Sequence, residues 1–165
     1  MSNEPIEDAF ERDEEKWSPL IGRFILEFAN IEDSIHHITS CHLAGTLVGH
    51  YDINERLGTR INLCERILEA SVEDQRQKVK IQECFKGIND LVQIRHLLAH
   101  NALSIVFEEG NDGHFRLIGP VIAGRKNINR TVDFESLTSK LAELRSHRLE
   151  LRDLVVEFLE KRKLV

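Results

Sequence analysis

Two stretches of this sequence carry side chains whose types and spacing could do chemistry. Ile94-Arg95-His96-Leu97-Leu98-Ala99-His100-Asn101 sets an arginine, two histidines and an asparagine among leucines at the end of a long helical pattern. A guanidinium beside imidazoles suits phosphate chemistry: the arginine binds oxyanions, and imidazole moves protons near neutral pH. The second stretch, His36-His37-Ile38-Thr39-Ser40-Cys41-His42, invites a metal reading because His37 and Cys41 sit one helical turn apart. Two ligands do not complete a zinc site and no matching pair stands elsewhere, so neither a metal nor another cofactor is expected.

A wheel at about 100° per residue shows where the first group points. With Arg95 at zero, Ile81, Cys84, Ile88, Leu91, Val92 and Leu98 all fall within roughly 60° of it. Arg95 therefore belongs to the apolar face, while His96 and His100 fall about 100° and 140° round, along one flank. A permanently charged group in that position needs a carboxylate, a set of carbonyls or a pocket that takes an anion. A structural role, with the arginine near the helix C-terminus favoured by the dipole, competes with a functional one. Arg148, which interrupts a leucine seam between Leu144 and Leu151, is an internal comparison around which nothing like "RHLLAH" stands.

A polar stripe in the first helix, Glu27, Asn30, Ser34 and His37, runs beside an apolar seam at steps of three and four. A solvated face is the default reading of such a stripe, but its place beside the seam also makes it the wall of a pocket or the source of a partner for Arg95, with Glu27 and Glu32 the first carboxylates to test. Asn101 completes the candidate orienting group. A purely structural reading pairs Arg95 with Glu27 or Glu32.

The elements that must position these residues are mostly helical. Residues 1–16 are polar and expected to be loosely ordered, and Ser18-Pro19 reads as an N-cap followed by proline at the first helical position. Phe24, Phe28, Ile31, Ile35 and Ile38 mark a seam running towards Leu47, with Gly45 and Gly49 at the exit. A second helix is expected from Asp52, with Glu55 completing a capping box, to Ala70. Ser71 with Asp74 opens a third, running to His100, in which Gly87 makes room for a close helix approach. "LSIVF" and "HFRLI" around "EEGNDG" predict a β-hairpin, and "GPVIAGRKNINRTV" a loop or edge strand. Asp133 caps the last helix, with Leu137, Leu141, Leu144, Leu151, Val155 and Phe158 inward. The expectation is an all-α class: a four-helix bundle over 17–165, with a β-hairpin inserted between the third and fourth long helices.

At 165 residues the chain can bury a core without disulfides. The three cysteines, Cys41, Cys64 and Cys84, read as free buried thiols of a reducing cytoplasm. A net charge of −6 argues against a protein that coats nucleic acid with a broad cationic surface. No apolar run reaches the roughly 20 residues that span a bilayer, and no signal peptide is evident. Arg116, Arg125, Lys126 and Arg130 are a possible basic rim around the hairpin, or an ordinary solvated loop.

Arg95-His96-x-x-x-His100, near the end of a long helix with two helices before it and one after, resembles the R-x4-6-H signature of the HEPN superfamily. The resemblance covers most of Ser18 to Val165, the hairpin being an embellishment. It implies a metal-independent endoribonuclease, a hydrolase of the toxin–antitoxin or defence type, working on RNA as a homodimer and open to an antitoxin or other protein partner. By that resemblance Arg95 holds the scissile phosphate, His100 is general base or acid, and His96 orients them. The products carry a 2′,3′-cyclic phosphate. Ala102 stands where some toxin members carry a modifiable tyrosine, so regulation of that kind is not implied. The alternative within the same resemblance is a non-catalytic HEPN-like module that binds a nucleotide or a protein partner.

Overall fold

The computed structural model describes residues 6–43, 56–109, 115–124 and 127–163, with side chains for 13–43, 56–104, 120–124 and 131–161. Among them are four helices, α1 (Ile6–Leu43), α2 (Leu57–Ala70), α3 (Gln75–His100) and α4 (Phe134–Lys163). Three strands, β1 (Leu103–Glu109), β2 (Phe115–Gly124) and β3 (Asn127–Val132), lie between α3 and α4 in the chain. The protein is thus mostly helical with a small antiparallel sheet of order β1-β2-β3. None of the described helices is long and apolar enough to cross a membrane.

The start of α1 corrects the sequence expectation. The helix begins at Ile6, so Pro19 lies inside it and Ser18 is not its N-cap. An interior proline costs about 3 kcal/mol, because it removes one backbone hydrogen bond and crowds the preceding turn. Burial of Trp17 offsets that cost. It is 2% exposed and meets Phe134 edge-on with ring centroids 5.5 Å apart, and truncating such a side chain typically costs about 3–5 kcal/mol. Glu, Ala, Arg and Lys in residues 6–16 also favour helix, and Glu14, Glu15 and Lys16 are exposed.

α2 starts at Leu57 after an extended Arg56 that makes no side-chain cap, and not at Asp52 as the sequence suggests, whereas three other helix ends follow local capping chemistry. Ser71 closes α2, its hydroxyl donating to the Leu68 carbonyl at 2.7 Å, instead of opening α3. Asp74 does open α3, accepting from the Arg76 N–H at 2.9 Å. Asp133 opens α4 as expected, its Oδ1 accepting from the Ser136 N–H at 2.7 Å. Gly45, Gly49, Asp52 and Glu55 lie outside the described residues.

The expected hairpin is the first half of a three-stranded meander. The segment read as loop or edge strand supplies the end of β2 and all of β3, pairing Ile122 with Val132 and Ala123 with Thr131. Leu103, Ile122 and Val132 stand opposite one another in a row across the sheet, and so share one face. Pro120 is tolerated because its stretch of β2 pairs with β1 alone, beside a register shift at Val106/Phe107.

The chain forms two compact units, 1–25 with 94–142, and 26–93 with 143–165. The first buries Trp17, Phe24, Leu98, Val121, Ile122, Val132, Leu137 and Leu141. In the second, segments of all four helices are tied in a ring. Arg60 of α2 donates to the Glu32 carbonyl of α1, Gln82 of α3 to Glu69 of α2, Gln77 of α3 to Glu157 of α4, and Arg145 of α4 to Glu27 of α1. Inside that ring lie Phe28, Ile31, Ile35, Ile61, Leu68, Phe85, Ile88 and Leu151, each at most 2% exposed. Phe28, Ile31, Ile35, Ile88 and Leu151 in that set belong to the apolar faces read from the sequence.

Because Pro19 interrupts a continuous helix, Pro19→Ala should raise stability in urea unfolding and slightly increase helical circular dichroism. A neutral or destabilising change is what a helix starting at Pro19 would give.

Candidate functional site

The last two turns of α3 belong to the first unit and carry the residues singled out by type. Arg95 is half-buried whereas His96 and His100 are exposed, as the wheel requires. The two imidazoles lie one turn apart with ring centroids 6.1 Å from each other and planes only 16° from parallel. His100 stands in the last turn, where a cation is favoured by the helix dipole. The Asn101 amide nitrogen donates to the Leu97 carbonyl at 2.8 Å, beside the backbone bond from Asn101 N–H to the same oxygen. Asn101 therefore closes the helix end.

Glu27, Asn30, Ser34 and His37 belong to the second unit. Ser34 is occupied by its own helix, its hydroxyl donating to the Asn30 carbonyl at 3.0 Å. Asn30 and His37 are exposed. Glu27 is the ion-pairing centre of this unit. Its Oε1 accepts from Arg145 Nε at 2.9 Å, and its Oε2 lies 2.6 Å from Arg148 Nε. The Arg148 contact is Coulombic without hydrogen-bond alignment, since both of its atoms are buried without a hydrogen-bond partner. Arg148 is thus a structural arginine, and Glu27, one of the two carboxylates proposed for Arg95, serves Arg145 and Arg148. Arg125 and Lys126 lie outside the described residues, as do the side chains of Arg116 and Arg130.

A second constellation was not foreseen. Between α3 and α4, within the second unit, Cys84 Sγ, a ring nitrogen of His147 and a carboxylate oxygen of Glu150 all lie within 4.8 Å of one another. Cys84 is buried, and its thiol faces the His147 carbonyl at 3.6 Å. Burial, with Glu150 nearby, pushes that thiol up to about 12. His147 Nδ1 stands 3.3 Å from Glu150 Oε2. Both residues line a cleft of about 560 Å³ that also takes in Lys80, Glu83, Asp153 and Glu157. Hydrogen bonding from Lys161 holds the Glu157 carboxyl below its ordinary value, against the opposing effect of desolvation. Gly87 is what admits the histidine: a Cβ there would stand well inside contact distance of the His147 ring. Sequence spacing hides this group, because Cys84 and His147 are remote in the chain. The legible signals are the His147-x-x-Glu150 pair, one turn apart, and a glycine inside a helix.

Comparison with protein-family models, curated proteins and solved structures finds no match to this chain.

Truncating Glu27 leaves the buried Arg148 Nε without its counter-charge. Glu27→Ala is expected to cost about 1–3 kcal/mol. Arg145→Ala, which removes a partner 47% exposed, should cost less than about 1 kcal/mol. Urea unfolding of the two variants checks the ranking.

Proposed function

We propose that the end of α3 is a ribonuclease site of HEPN type, cleaving RNA without a metal by attack of the 2′-hydroxyl. The observation that supports this reading is the half-buried Arg95 beside two exposed, near-parallel imidazoles on the same end of one helix. A phosphodiester lying along the last turn meets all three groups. One imidazole takes the proton of the 2′-hydroxyl as its oxygen bonds to phosphorus. The P–O5′ bond breaks, and the leaving oxygen takes a proton from an imidazolium. His100, in the final turn, is assigned the base, and His96 the acid and the orientation of the phosphate. The Arg95 guanidinium stabilises the charge that gathers on the non-bridging oxygens, where charge-assisted hydrogen bonds are strongest.

On this reading the protein acts as a homodimer that joins two such helix ends over one RNA strand, in a cytoplasmic defence or toxin system held in check by a partner protein. The net charge of −6 provides no broad attraction to phosphate, so on this reading RNA is held by a few placed cations.

The test is cleavage of an unstructured RNA in the presence of a chelator. Wild type should cut it, while Arg95→Ala and His100→Ala should each lower the rate by about 10²–10⁴-fold, the usual range for loss of a positioned acid or base. Activity that survives both substitutions, or that the chelator abolishes, contradicts the mechanism. Binding of RNA or a nucleotide without turnover in wild type would replace it with a non-catalytic module.

A further inference from the structure

The Cys84, His147 and Glu150 side chains lie in the second unit, apart from the helix end described above, and nothing in the RNA chemistry uses them. We propose that they form a binding site for a zinc-type divalent cation, with a fourth coordination position open to the adjoining cleft.

Three observations carry this. The first is the donor set. A thiolate, an imidazole and a carboxylate together suit zinc, and three protein ligands with one open position is its pattern where a solvent molecule completes the tetrahedron. The second is spacing. Zn–N and Zn–O bonds of about 2.0–2.2 Å at a tetrahedral angle put the two donor atoms about 3.3–3.5 Å apart. His147 Nδ1 and Glu150 Oε2 are 3.3 Å apart, with Cys84 Sγ within 4.8 Å of the ligand atoms. On this proposal the sulfur draws closer to the other two donors as the metal–sulfur bond forms. The third is the surroundings. The cleft sets Glu83, Glu150, Asp153 and Glu157 against Lys80, a balance that draws a cation in and repels phosphate.

The burial gradient also fits a metal site. Cys84 is 1% exposed, whereas the side chains of His147 and Glu150 are 19% and 54% exposed. A cation entering from the cleft meets the carboxylate first and the sulfur last, and the thiol proton leaves to solvent as the metal–sulfur bond forms. Because Cys84 is on α3 and the other two ligands are on α4, the ion cross-links these helices. Gly87 is part of the site although it offers no ligand, since any side chain there displaces the His147 ring.

The experiment titrates the full-length, reduced, metal-stripped protein with cobalt(II) and then with zinc(II). One cobalt per chain should bind with a thiolate-to-metal charge-transfer absorption, zinc should bleach it stoichiometrically, and zinc should raise the melting temperature. Glu150→Gln and His147→Ala, both reachable from solvent, should weaken cobalt binding by at least about 10–100-fold, the loss seen even for outer-sphere partners. Gly87→Ala should do the same while leaving every ligand in the chain. Cys84→Ser should abolish the charge-transfer band, and Cys41→Ser should leave it unchanged. The proposal is overturned if no such band develops, if the band persists in Cys84→Ser, or if Glu150→Gln and Gly87→Ala bind cobalt as tightly as wild type. RNA cleavage is not a readout here, so failure of the metal site and failure of the nuclease reading are separate results.

Discussion

At Gly87 the space a side chain would fill is taken by the imidazole of His147, so any larger residue there displaces that ring at the α3–α4 contact. The approach has a cost, since a glycine inside a helix gives up about 1 kcal/mol relative to alanine. In return it seats His147 beside the buried Cys84 and orders the α3–α4 contact, which Gln77 and Glu157 continue at 2.7 Å further along the same pair of helices. The remaining ties of the second unit, from α1 to α2, α2 to α3 and α4 to α1, close on this contact.

Charge within an apolar frame is handled in two ways by this chain. Arg148 and Arg95 look alike in sequence, each an arginine set into an apolar seam. Arg148 stands against a carboxylate that is itself largely buried, Glu27, and the two form an ion pair with a helix-bracing role. Arg95 instead stands two turns from a helix end that carries two solvent-facing imidazoles. On the proposed reading Arg95 receives a phosphate and gains from imidazoles that can exchange protons with it, whereas Arg148 braces helices through Glu27.

The helical skeleton was legible because its cores repeat at steps of three and four. Ile81, Cys84, Ile88, Leu91, Val92 and Leu98 are all buried as the wheel places them, and Asp74 and Asp133 cap where their side chains suggest. The start of α1 was not legible, because Ser18-Pro19 has the local form of a helix start and only the burial of Trp17 overrides it. The sheet was half legible: Gly and Pro in "GPVIAG" signal a turn, whereas pairing with β1 and, at its end, with β3 makes that stretch the end of β2. For the candidate residues, the inward arginine and flanking histidines follow from helix geometry. The partners of Glu27 and the convergence of Cys84 with His147 depend on tertiary packing between remote segments, for which one sequence has no periodic signal.

The chemistry assigned to the end of α3 has a signature in its products that no other route to RNA cleavage shares in full. Attack by the 2′-oxygen leaves a 2′,3′-cyclic phosphate on one fragment and a 5′-hydroxyl on the other, whereas attack by water leaves a phosphate on one end and a free 3′-hydroxyl or 5′-hydroxyl on the other. Phosphorus NMR and end-labelling of RNA cut by the purified protein read these ends directly. The account predicts a cyclic phosphate with a 5′-hydroxyl, lost together when the cleaved position is a 2′-deoxynucleotide. A 5′-phosphate with a 3′-hydroxyl, or cleavage unaffected by the 2′-deoxy substitution, would contradict it.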